Sequence, residues 1–214
     1  SDHRIQVPVV DKAALNSQQR RIFDHLQQTV SSDEQALLLV HGTAGTGKSF
    51  LVNAISTEYG ARVLRLAPTG VAAANIVGET LHGALSINPN QGYAEDVAMS
   101  ADKCATIREK LAGPSGIVPD IIIVDEISMV HSKTFSQFEA RCQQLLTMDE
   151  SQKEMPFGGN HVVLLGDFGQ LPPVRGNSLI APLLAQSGAH DIVVARQNPA
   201  HTLFHDLFVK VELT

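Results

Sequence analysis

The sequence predicts an α/β fold on a doubly wound, mainly parallel β-sheet with helices on both faces, and three observations point there. Four short apolar runs recur along the chain. Segments with apolar residues at helical spacing stand between them. The residues that can carry chemistry follow the runs directly, where ligands sit in sheets of this kind.

The elements follow in order. Asn16 precedes a helical segment with Ile22, Phe23, Leu26 and Val30, and Asn16 and Gln19 have the spacing of a capping box. QALLLV (35–40) is the first strand. A glycine-rich turn follows at once, then Phe50, Leu51, Ala54 and Ile55 at helical spacing. ARVLRLA (61–67) is the second strand, ended by Pro68 and followed by VAAANIV. Residues 86–119 read as an irregular excursion carrying one helix near 103–112. DIIIVDE (120–126) and HVVLLGD (161–167) are two further strands, each ending in an acidic residue. Between them Phe135, Phe138, Cys142 and Leu145 share a helical face, with Ser132 as the expected N-cap.

Composition narrows the function classes. A chain of 214 residues with no repeat reads as one domain over 1–214. Apolar residues make up 43%, and the 16 glycines bring that to about half, which excludes a disordered chain. The net charge of -6 excludes a polycation that holds nucleic acid by bulk charge. No stretch approaches the ~18 consecutive apolar residues of a membrane helix, and SDHRIQVPVV lacks a signal-peptide core. Cys104 and Cys142 form no CxxC pair, so neither a disulfide framework nor a zinc site is implied. The expectation is an intracellular protein without a membrane partner. Because it starts at Ser1, the chain is expected to be an excised or processed piece.

GTAGTGKS (42–49) has the Gly-x-x-x-x-Gly-Lys-Ser spacing, after a strand and before a helix. Gly42, Gly45 and Gly47 let the backbone wrap a phosphate with its N–H groups inward, and Thr43, Ala44 and Thr46 complete the cradle. The helix N-terminus adds positive potential in the same direction. Lys48 can reach the β and γ phosphates, and the Ser49 hydroxyl can ligate Mg²⁺. Asp125 can complete the Mg²⁺ shell opposite Ser49, and Glu126 can polarise an attacking water. ATP and Mg²⁺ are therefore the expected ligands.

The ordered set GTAGTGKS (42–49), APTGVAA (67–73), TLHGAL (80–85), VDEISM (124–129), PFGG (156–159) and GDFGQLPPV (166–174) resembles the Pif family of superfamily 1 DNA helicases, in its first RecA-like motor domain. The likeness runs from about residue 15 to the end. It implies a P-loop NTPase that, when complete, translocates on single-stranded DNA and unwinds duplexes. It places Gln19, in LNSQQ (15–19), on the adenine edge, and Gln170 as γ-phosphate sensor. A capping role for Gln19 coexists with the adenine role. Asp167 supports the metal site or caps its loop; both readings stand.

By the same resemblance Thr69, Gly70, Thr80 and His82 meet single-stranded DNA. The threonines suit helix caps equally well, and His82 a structural hydrogen bond. With aromatics at 5% and no Trp, few side chains can stack on bases. Family members run on into a second RecA-like domain that supplies transition-state arginines; Arg175 and Arg196 lie in the wrong context to replace them. That domain is an expected partner, and residence in nucleus or mitochondrion is expected for a eukaryotic source. The other function class is a P-loop switch or remodelling module that does not act on nucleic acid, which the acidic net charge favours.

Overall fold

The computed structural model describes residues 7–32, 34–88, 98–167 and 207–214. Among the described residues six parallel strands form one sheet in the order β3-β2-β4-β5-β1-β6. They are β1 (Leu37–Gly42), β2 (Val63–Ala67), β3 (Glu79–Thr80), β4 (Ile121–Val124), β5 (His161–Gly166) and β6 (Val209–Leu213). The helices are α1 (Ser17–Val30), α2 (Lys48–Tyr59), α3 (Gly70–Asn75), α4 (Leu81–Leu85), α5 (Ala101–Ala112) and α6 (Ser132–Leu145). Among the described residues no helix is long and apolar enough to cross a membrane.

Parallel strands joined by helical crossovers are covered on both faces, so they read as continuous apolar runs. In β4 and β5, Ile121, Ile123, Val163 and Leu165 face one core, and Ile122, Val124, Val162 and Leu164 face the other. The first core is closed by Ile22, Phe23 and Leu26 of α1, by Leu51 and Ile55 of α2, and by Ala72 and Ala73 of α3. The second is closed by Leu81 and Leu85 of α4 and by Phe135, Phe138, Cys142 and Leu145 of α6. Helices thus lie on both faces, as expected. Phe157 joins that second core, its ring 5.3 Å from Phe138 and 5.8 Å from Phe208, centroid to centroid.

The four expected strands and the capping box are present: Gln19 N donates to Asn16 Oδ1 (2.9 Å) and Asn16 N donates to Gln19 Oε1 (3.0 Å). Ser132 is not the N-cap of its helix. His131 holds that position, with extended backbone and no side-chain cap, and Ser132 is the first helical residue. The 86–119 excursion carries α5 as expected, with Ser100 as its cap, while residues 89–97 lie outside the described set. Strands β3 and β6 and helix α4 had no separate signal: β3 is two polar residues, β6 (VKVEL) alternates apolar with charged positions, and α4 is little more than one turn.

Opposite the carboxyl edge of the sheet, the start of β5 carries a titratable contact. Arg62 and Asp120 pair through two hydrogen bonds (2.9 and 2.6 Å), and His161 Nδ1 accepts from Ala36 N at 3.1 Å. Burial holds the His161 imidazole below its ordinary value; Asp120 opposes this and Arg62 adds to it. The neutral ring is therefore the folded form, and its contribution is present above about pH 6.5 and lost as pH falls. The urea midpoint is expected to be lower at pH 5 than at pH 7.5. In His161→Gln, which can still accept the Ala36 N–H but does not titrate, that difference should shrink.

Candidate functional site

All six strands run the same way, so the glycine loop after β1, Thr69 after β2, Thr80 closing β3, Asp125 after β4 and Asp167 after β5 share one edge of the sheet. The glycine loop turns sharply into α2. Gly45 and Gly47 have φ of +85° and +86°, a region open to glycine and strained for other residues. A Cβ on Gly47 would also strike the Gln19 amide nitrogen. Gly47 caps α2 without any side-chain hydrogen bond, so the cap residue itself places nothing over the first N–H groups of α2.

Lys48 lies back along the loop, its Nζ donating to Gly42 O at 2.6 Å and Thr43 O at 3.1 Å. It thereby stands at the loop mouth, where phosphate oxygens can take over from these carbonyls. Thr46 braces the loop by donating its hydroxyl to Thr43 O (2.9 Å). Ala44 and Ser49 are exposed, Ser49 in the first turn of α2. Gln19 is 5% exposed; besides completing its capping box it donates through Nε2 to Gly47 O at 3.2 Å. Its amide is thus already engaged at both ends, one of them on the phosphate loop.

Asp125 and Glu126 leave β4 in unlike conformations. Asp125 is 8% exposed, and its Oδ1 accepts from Glu126 N at 2.9 Å. Burial pushes its carboxyl up, while the Glu126 N–H and Lys48 pull it down. Glu126 sits at φ +53°, ψ +40°, which costs a non-glycine residue roughly 1–2 kcal/mol. Its Oε2 is buried without a hydrogen-bond partner among the described residues. Burial raises the Glu126 carboxyl most; Asp125 and Asp167 raise it further and Lys48 lowers it. Lys48, Asp125 and Asp167 therefore all lie within electrostatic reach of Glu126. A strained backbone, an unpaired buried oxygen and crowded acids together mark a site poised for a cation or a proton.

The four candidate DNA contacts are placed differently. Thr69 Oγ1 accepts from Ala72 N (3.2 Å) and Thr80 Oγ1 from Gly83 N (3.1 Å), so both threonines cap their helices. Gly70 is exposed with open space around it. His82 is half-buried, and burial holds its imidazole below the ordinary value. Gln170, Arg175 and Arg196, with Pro172 and Pro173, lie outside the described residues. What the motif reading lacked is the neighbour of the loop's first glycine: Leu213 of β6 pairs with Gly42. With Lys210 and Glu212 between its apolar residues, β6 is no continuous apolar run, and nothing local records which strand it joins.

A glycine loop joining strand to helix, a lysine at its mouth and an acidic pair two strands away define a P-loop NTPase domain of the RecA-like type. Residues 14–187 match the PIF1-like helicase family. The chain belongs to that family.

An ATP-dependent DNA helicase Pif1 of Bdellovibrio bacteriovorus is 32% identical over 166 residues, spanning 77% of this chain and 34% of the relative. The human ATP-dependent DNA helicase PIF1 is 34% identical over 139 residues, spanning 64% of this chain and 20% of the relative. Among solved structures, unliganded Pif1 from Bacteroides sp. superposes with a TM-score of 0.65 at 26% identity over 94% of this chain and 41% of that one. The Bacteroides Pif1 helicase in complex with ADP-AlF3 and ssDNA does so with a TM-score of 0.64 at 26% identity, again over 94% of this chain and 42% of that one. The chain thus spans about a third of the Bdellovibrio relative and under half of these solved chains.

Proposed function

We propose that this chain is the ATP-binding and hydrolysing part of a DNA helicase motor that moves along single-stranded DNA. The observation that carries the reading is the glycine loop and Lys48 after β1 standing on the same edge of a parallel sheet as Asp125 and Glu126 after β4. The N-terminus of α2 and the loop N–H groups receive the triphosphate, and Lys48 exchanges its Gly42 and Thr43 carbonyls for phosphate oxygens. Ser49 and Asp125 are the residues that would hold Mg²⁺, a fit supported by the buried acceptor on Asp125 and the exposed hydroxyl on Ser49. That ion would neutralise charge on the phosphates. Glu126, with a raised proton affinity and a free buried oxygen, takes the proton from the attacking water. Single-stranded DNA crosses the same edge near Thr69, Gly70, Thr80 and His82; the resemblance and the Bacteroides complex support this.

Lys48→Ala removes the full positive charge facing two phosphates, and its charge-assisted hydrogen bonds are worth roughly 1.5–3 kcal/mol. Affinity for a fluorescent ATP analogue is expected to fall about 10-fold or more. Equal affinity would end the nucleotide assignment. Hydrolysis measured with and without single-stranded DNA separates motor from switch: a rate unmoved by DNA favours the non-translocating module, which the net charge of -6 suits.

A further inference from the structure

The glycine loop is held from outside at both its ends. At its start, a Cβ on Gly42 would stand 3.2 Å from Leu213 Cβ and 3.3 Å from Leu213 O, so the end of β6 packs against it. At its finish, Gly47 O accepts from Gln19 Nε2 of α1 at 3.2 Å. These two supports belong to elements far apart in the chain, and one residue joins them. Gln18 Nε2 donates to Thr214 Oγ1 at 2.7 Å, and Thr214 N donates to Gln18 Oε1 at 3.0 Å. A closed ring results, running Gly42, Leu213, Thr214, Gln18, Gln19, Gly47.

We propose that Gln18 is a positioning residue for the nucleotide loop, tying the chain that leaves β6 to α1 so that both ends of the loop are held in one frame. This rests on the nucleotide-binding reading above. α1 is a 14-residue helix closed by a full capping box, so adjacent residues 18 and 19 move together. The loop itself is glycine-rich and loses conformational freedom when it grips phosphate. A frame that orders it beforehand lowers that loss and tightens binding. Linkage makes the effect reciprocal: if the Gln18–Thr214 contact tightens nucleotide binding by some factor, nucleotide tightens the contact by the same factor. Nucleotide occupancy is thereby felt at Thr214, on the chain leaving the sheet.

The test uses the full-length chain, a fluorescent ATP analogue and amide exchange at Thr214, in wild type, Gln18→Leu and Gln18→Glu. The leucine removes both contacts. The glutamate keeps them, since its carboxylate accepts the Thr214 N–H and the Thr214 hydroxyl alike. Gln18→Leu is expected to raise Kd about 3- to 10-fold, the range for two exposed hydrogen bonds, with Gln18→Glu near wild type. Saturating nucleotide should slow Thr214 N–H exchange by a similar factor in wild type and leave it unmoved in Gln18→Leu. Equal Kd in Gln18→Leu and wild type, or exchange at Thr214 indifferent to nucleotide, overturns the proposal while the nucleotide site stands. Weakened binding that tracks a lower melting temperature and is not rescued by Gln18→Glu also overturns it. A wild-type chain that binds no nucleotide removes the nucleotide reading, and this proposal with it.

Discussion

Glu126→Gln is expected to leave nucleotide bound and to lower ATP hydrolysis by about 10²–10⁴, the usual worth of a positioned general base. The carboxylate stands at the end of β4 with its backbone in the left-handed region and Oε2 buried without a partner among the described residues. Burial, then Asp125 and Asp167, raise its affinity for a proton, which moves it toward the pH at which it must take one. Glutamine fills the same space but cannot accept that proton. Lys48 and the glycine loop, proposed above to receive the phosphates, are untouched by the change, so the Kd for a fluorescent ATP analogue should remain within about 2-fold while single-turnover hydrolysis collapses. Relieving the crowd of acids should also raise the melting temperature of the nucleotide-free protein, a trade of stability against function expected at a strained site. Hydrolysis at the normal rate would move the base role to another residue.

Phe157→Ala is expected to cost about 3–5 kcal/mol of folding stability, read as a fall in the urea midpoint at unchanged slope. The ring is fully buried and touches three others: Phe135 at 5.9 Å, Phe138 at 5.3 Å and Phe208 at 5.8 Å. Such ring pairs add to the area they bury. The backbone at Phe157 has φ +52°, and its N–H donates to the half-buried Glu139 carboxylate at 3.2 Å. Glycine would relieve roughly 1–2 kcal/mol of left-handed strain that alanine retains. Phe157→Gly should therefore be at least as stable as Phe157→Ala, the reverse of the order at an ordinary position. Alanine the more stable of the two would show that this strain is not in the folded chain.

The family match, residues 14–187, contains all six motifs. Capping at Thr69, Thr80 and Ser132 is one detail that residue type alone left open. Each was legible as a residue type suited to capping. Only the backbone shows that the two threonines cap and that the serine sits one position too late.

What the sequence by itself determined are the features set by residues a few positions apart. Apolar runs 4–6 residues long became β1, β2, β4 and β5, because parallel strands covered on both faces admit almost nothing polar. Asn16 and Gln19 closed a capping box three residues apart, and the Gly-x-x-x-x-Gly-Lys-Ser spacing made its loop. Tertiary structure alone decided that β6 lies beside β1, that Gln19 reaches Gly47 across 28 residues, and that Gln18 meets Thr214 across 196. It also decided that Glu126 leaves β4 in the left-handed region. The physical reason is that such contacts follow from how two close-packed cores fill their space around the sheet, and no local period or turn rule records which distant side chain will fill it.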